Sequence, residues 1–272
     1  MASYHEKDIQ AISASKLKTK CKFLFFNLYL AFFATSSLHS QEVNIPDIGL
    51  ERVIRIALNK PVGNITQQDM ENLIILDASS PTRGPSTPSI RSLKGLEAAV
   101  NLKSLNLSNP IRGSVQPNIA ITDWGPLLDL PALEVLDLSE NELTELILPD
   151  GLRNLTELNL YDNELSHFSL PQGMHGLRSL NMRGNRMISF SLTSELDQLS
   201  ELNLSYCQLT DFSFLAHLKG LKKLNLEGNR LLTSVLPEDL KSLSELNLAG
   251  NGGRVTQTGP EFALVWTGSI VV

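Results

Sequence analysis

From residue 133 to residue 251 the chain repeats one arrangement of apolar and polar positions, Leu-x-x-Leu-x-Leu-x-x-Asn. The copies begin at Leu133, Leu155, Leu177, Leu199, Leu221 and Leu243, each 22 residues after the last. A fixed period in the twenties marks an array of stacked coils, because one coil of that length cannot bury its own apolar face. Within each copy the leucines alternate with polar residues, as a short strand with one buried face requires. Leu155, Leu158 and Leu160 therefore point inward, as do their counterparts. Nine residues before each start stand Trp124, Leu146, Phe168, Phe190, Phe212 and Ser234, a column expected to form an aromatic spine with a gap at Ser234. Three residues before each start, Leu130, Leu152, Met174, Leu196, Leu218 and Leu240 close the core. The terminal position of the motif is Asn141, Asn163, Asn185, Cys207, Asn229 and Asn251. Buried amides there are expected to satisfy backbone groups in the turn after the strand.

Upstream the period loosens. Leu73-x-x-Leu76-x-Ala78 and Leu102-x-x-Leu105-x-Leu107 begin two coils that are seven and nine residues longer than the rest. The core phase is kept by Ile90, Leu93 and Leu96, and by Ile121, Trp124, Leu127 and Leu130. The extra residues must therefore lie directly after the strands, at about 79–89 and 109–120, where Pro and Gly are frequent. Before them, residues 41–72 read as a helical cap. Asp47 caps a helix whose apolar positions are Leu50, Val53, Ile54, Ala57 and Leu58, and Pro61 and Gly63 stop it. Thr66 and Asp69 have the spacing of a capping box for a second, short helix. An array needs such an end piece to keep its first coil from water.

These motifs resemble the leucine-rich repeat family, and the 22-residue coil is similar to that of bacterial internalin-like proteins. The resemblance covers about residues 45–251. It implies an α/β fold: a right-handed leucine-rich repeat solenoid with a parallel concave sheet, an irregular convex side and an N-terminal helical cap, serving a binding role. The expected organisation is a signal peptide at 1–40, the cap at 41–72 and the solenoid at 73–251, with irregular coils at 73–132 and regular ones at 133–251. Residues 252–272 follow as a Gly- and Thr-rich linker and a strand-like tail that stops inside a further module.

The N-terminus supports export. Lys16, Lys18, Lys20 and Lys22 precede the apolar run from Phe23 to Ala34, and small polar residues lead to a cleavage point after Ser40. A retained anchor is the alternative, but the run contains Asn27 and is shorter than the roughly 20 residues a spanning helix needs. The location expected is secreted or cell envelope, with no stable membrane span after cleavage. The chain has 23 basic and 29 acidic residues; five lysines and two acids fall in the first 40, leaving a net charge of −9 from Gln41 onward. That balance argues against nucleic acid as a partner. Once Cys21 leaves with the signal, Cys207 is a single cysteine in the Asn column, read as a buried substitute and not a reactive thiol.

No nucleophile elbow, phosphate loop or metal-ligand spacing occurs, so no catalytic residue, metal or cofactor is expected. The candidate site is a face. Its central outward column is Asn106, Asp137, Asn159, Asn181, Asn203, Asn225 and Asn247, expected to be mostly structural. The columns beside it vary: Val135, Glu157, Ser179, Glu201, Lys223 and Glu245 on one side, Ser139, Tyr161, Arg183, Ser205, Glu227 and Ala249 on the other. Variation on a rigid frame is where specificity resides. Asp137, Glu157, Asn159, Tyr161, Arg183, Glu201, Asn203, Lys223, Glu227 and Glu245 are therefore the candidate contacts for a protein or glycan. The two insertions should emerge side by side and bring Arg83, Arg91 and Arg112 to one edge as a second contact. A targeting arm for a larger secreted enzyme or surface protein, and a structural envelope protein, are the other functions the sequence allows.

Overall fold

The computed structural model describes residues 41–79, 88–109, 119–192, 196–210, 213–231, 233–235, 237, 240–252 and 254–256. The expected signal segment, Arg83, Arg112 and Phe212 lie outside them.

Helix α1 spans Ile48–Ala57 and begins where expected: the Asp47 carboxylate accepts a hydrogen bond from the Leu50 amide at 2.8 Å. Gly49, Leu50, Val53 and Ile54 are buried. Ala57, expected on this face, is exposed, and Leu58 is half-buried. The fully buried stripe ends at Ile54, and Leu58 packs against the core from its margin. Helix α2, Gln67–Glu71, carries the reciprocal capping box of Thr66 and Asp69 and buries Met70. Asp47 also does more than cap. Its second oxygen accepts from the Arg91 and Ser92 amides at 2.8 and 3.2 Å, fastening the cap to the far side of the first coil.

Eight three-residue strands form one parallel sheet, in the order β1 (Ile75–Asp77), β2 (Ser104–Asn106), β3 (Val135–Asp137), β4 (Glu157–Asn159), β6 (Ser179–Asn181), β8 (Glu201–Asn203), β9 (Lys223–Asn225) and β11 (Glu245–Asn247). The register is in phase throughout: Leu76, Leu105, Leu136, Leu158, Leu180, Leu202, Leu224 and Leu246 are neighbours in sequence order. All eight are buried. The leucines expected at the start and end of each motif join them, from Leu102 and Leu107 to Leu243. In-register stacking follows from the constant period, since any slip would turn a leucine column toward water.

The opposite side is more regular than expected. β5 (His167–Ser169) pairs with β7 (Ser189–Ser191), setting Phe168 beside Phe190. β10 (Thr233–Val235) pairs with β12 (Arg254–Thr256). The irregular character holds elsewhere on this side, in the 3-10 turns Leu96–Ala98, Gly125–Asp129 and Ser213–His217. Trp124, Leu146 and Phe168 are buried in the spine. Phe190 is half-buried and meets Phe214 edge-on, with ring centroids 4.9 Å apart. β12 falls within the segment 252–272. Arg254–Thr256 adds a strand beside the preceding coil, because the backbone there finds the open edge of β10.

Both long coils leave and rejoin the stack together. Asp77 neighbours Asn106 at the strand ends, and Ile90 bridges Ile119 where the core resumes. Ile119 is buried, so the second insertion ends before it and not at residue 120.

Candidate binding face

The buried polar residues at the strand exits set the geometry of the face. The Asn163 amide nitrogen donates to the carbonyls of Leu138 and Leu160 at 3.0 and 3.1 Å, and its oxygen accepts from the Asn141 and Leu143 amides. Asn185, Asn229 and Asn251 repeat the donor half of this arrangement, each bridging two coils. Cys207 replaces the donor with its thiol, 3.0 Å from the Met182 carbonyl. Burial pushes that thiol up to about 11 from its ordinary 9.0, so at neutral pH it is protonated and inert. Among the described residues the Asn141 carbonyl oxygen has no partner. Its amide nitrogen keeps the donor half, reaching the carbonyls of Leu107 and Leu138 at 2.9 and 3.0 Å.

On the outward face, the central column is half-buried and each member ties down its own chain. Oδ1 of Asn106, Asp137, Asn159, Asn181, Asn203, Asn225 and Asn247 accepts from the amide two residues on, at 2.9–3.2 Å. This Asx bond shapes the turn out of the strand. The expected link along the column forms between Asn159 and Asp137, at 3.0 Å. The residues beside it divide. Glu157, Glu201, Lys223 and Glu245 are exposed. Ser139 and Ser205, expected to be outward and exposed, are buried, because their hydroxyls turn back to Asp137 at 2.6 Å and Asn203 at 2.7 Å. Tyr161, Arg183 and Glu227 are half-buried.

The structure gathers part of the candidate set into a groove of about 560 Å³ running from Ser179 to Asn247, with Glu201, Asn203, Lys223 and Glu245 in its lining. Lys223 lies 3.0 Å from Glu201. The hydrogen bond to Glu201, then the charges of Glu201 and Glu245, hold its ammonium above the ordinary lysine range. Both partners are half-exposed, so the pair orders the groove more than it stabilises the fold. Asp137, Glu157, Asn159 and Tyr161 lie on the same sheet toward the cap, outside this groove. Arg91 is exposed near the insertions, its amide spent on Asp47.

Tyr206 was missed by the sequence reading. It stands just after the third outward column, 45% exposed, with the Arg183 guanidinium carbon 4.9 Å from its ring centre and its hydroxyl donating to Glu227 Oε1 at 2.6 Å. That bond holds the phenol proton above its ordinary pKa. A signal was present: the same position carries Gly184, Gly228 and Gly250 in other coils, and an aromatic where the repeat prefers glycine is out of place.

Stacked coils, a continuous in-phase parallel sheet and a buried amide ladder together define a leucine-rich repeat solenoid. The descriptions "Leucine Rich repeats (2 copies)" and "Leucine Rich Repeat" belong to the family models that match residues 197–238 and 132–155. Two stretches of the chain thus match leucine-rich repeat models, and the fold resembles that of internalins. Internalin C2 (inlC2) of Listeria monocytogenes is similar in fold at 24% identity and a TM-score of 0.63, over 81% of this chain and 98% of that one. An internalin (inlF) of the same species is 24% identical with a TM-score of 0.55, and the match spans 80% of this chain and 66% of that one. No curated protein sequence matches the chain. The fold is of a type used for protein binding. Among the described residues no cluster of three or more His, Cys, Asp or Glu could hold a metal, and no helix is long and apolar enough to cross a membrane.

Proposed function

We propose that this chain is an exported, non-enzymatic binding module that recognises a protein or glycan through the outward face of its long sheet. The observation that carries the reading is the contrast between frame and face. Every strand of the long sheet repeats the same buried leucine and the same Asx bond, whereas the flanking outward columns, with Glu157, Tyr161, Arg183, Glu201, Lys223 and Glu227, vary from coil to coil on one rigid surface. A preorganised surface binds without the cost of ordering loops. The insertion edge, with Arg83, Arg91 and Arg112, is a secondary contact in this proposal, supported by the adjacent roots of the two insertions.

The test uses residues 41–272 as bait against envelope and host-surface proteins and polysaccharides, beside a variant with those six residues changed to Ala. A partner held by the parent and lost by a variant of unchanged circular dichroism is the expected result. A partner retained by both moves the site to the insertion edge. No partner for either overturns the proposal.

A further inference from the structure

In six successive coils the residue before the ladder position has a left-handed backbone: Glu140, Asp162, Gly184, Tyr206, Gly228 and Gly250, with φ between 54° and 78°. Glycine adopts this region at no cost, and a bulky aromatic there is a genuine outlier. The fold does not require the tyrosine, since glycine fills the place in three of the six coils. Backbone strain of this kind persists where the surface uses it.

The surroundings are fitted to the ring. A Cβ on Gly228 would stand 2.5 Å from the Tyr206 ring carbons Cδ1 and Cε1, so only glycine in the following coil lets the ring lie there. Arg183 reaches over the ring from the preceding coil. The hydroxyl is latched to Glu227, whose other oxygen accepts from Asn247 Nδ2 at 3.1 Å. The clamp spans four coils along one rim of the groove and fixes an exposed aromatic at little further entropic cost on binding.

We propose that Tyr206 is the anchor by which this face holds a protein partner, a polypeptide segment presenting an apolar side chain beside a carbonyl or carboxylate acceptor. The inference rests on the sheet-face reading above and adds the residue and the partner class. Arg183 lies over the ring and the Gly228 backbone lies against its Cδ1–Cε1 side, so a sugar stacking on the Arg183 side would have to displace the guanidinium, whereas an apolar side chain can meet the ring at its edge. The edge takes an apolar group, and the Arg183 N–H groups not turned to the ring take an acceptor next to it. Tyrosine and arginine together are the side chains that dominate protein interfaces.

The experiment pans a phage-displayed random peptide library on the intact chain and measures the selected peptides against Tyr206→Asn, Tyr206→Phe and the double variant Glu201→Ala/Lys223→Ala. The expected peptides carry an apolar residue next to Asp or Glu. They lose about tenfold or more in affinity for Tyr206→Asn and less for Tyr206→Phe. The Tyr206→Asn variant melts at or above the parent temperature, because Asn tolerates the left-handed backbone. Peptides that bind Tyr206→Asn as well as the parent, yet are lost on Glu201→Ala/Lys223→Ala, overturn the anchor and leave the sheet-face reading standing. Peptides indifferent to all three variants overturn both. A melting temperature well below the parent for Tyr206→Asn makes the ring a structural brace and overturns the proposal.

Discussion

A single buried amide in this chain satisfies backbone groups of two coils at once, so its loss should be felt beyond its own turn. Asn163→Ala strands two carbonyls and two amides in a buried turn. It is expected to cost about 2–4 kcal/mol, read as a lowered urea midpoint. Cys207 gives the opposite case, because its sulfur makes only weak bonds in the ladder and the Met187 amide turns to the Cys207 carbonyl instead. Cys207→Asn, which replaces the weak sulfur bonds with amide ones, is expected to gain about 1 kcal/mol, measured by the same unfolding curve. The thiol also makes a pH prediction. Its folded pKa is raised, so its contribution is complete below pH 9, where the unfolded chain keeps the proton as well. It is lost as pH rises from 9 towards 11, at up to about 1.4 kcal/mol per unit. Native protein should accordingly resist a disulfide reagent at pH 8 and react once unfolded; fast reaction of the native thiol would contradict its burial. At this scale the ladder was legible from period alone. The buried Ser139 and Ser205 were not, because alternation sets a side chain outward but says nothing of a hydroxyl that folds back on its neighbour. Tyr206 escaped because its importance lies in the backbone angle and in a glycine 22 residues away.

The cap is the element on which the first coil depends. Its two N-caps were readable from Asp47 and the Thr66–Asp69 spacing. The reach of Asp47 to the Arg91 and Ser92 amides was not, since no local pattern encodes a contact 44 residues distant. Asp47→Ala should therefore cost more than an ordinary cap, about 2–3 kcal/mol against the usual 1, with faster amide exchange at 48–57 and at 91–92 together. Exchange rising at 48–57 alone would show that the long-range bonds carry nothing. Asp69 adds an acid-side effect. Burial alone would raise its carboxyl, but the hydrogen bond from Lys60, with those from Thr66, outweighs burial and holds it below its ordinary 3.8. A depressed carboxylate stabilises above that value, and its share is lost as pH falls below 3.8 through the lower folded pKa, so the cap should loosen in that acid range and not at higher pH.

As a whole molecule the protein is a one-dimensional stack in which every coil is held by its neighbours. The period was sufficient to read the long sheet and its register. It was insufficient at the C-terminal side, where Arg254–Thr256 lies against β10 although the motif has ended, because strand pairing needs an open edge and not a leucine. The proposed function belongs to this scale, since no one residue of the variable columns makes a site without the frame that aligns them. The most direct measurement is hydrogen–deuterium exchange on residues 41–272 with and without the captured partner. Protection is expected at 157–161, 179–183, 201–206 and 223–227, the outward strands and their exits. Protection confined to α1 or to β5 and β7 would contradict the account and place recognition on the other side of the solenoid.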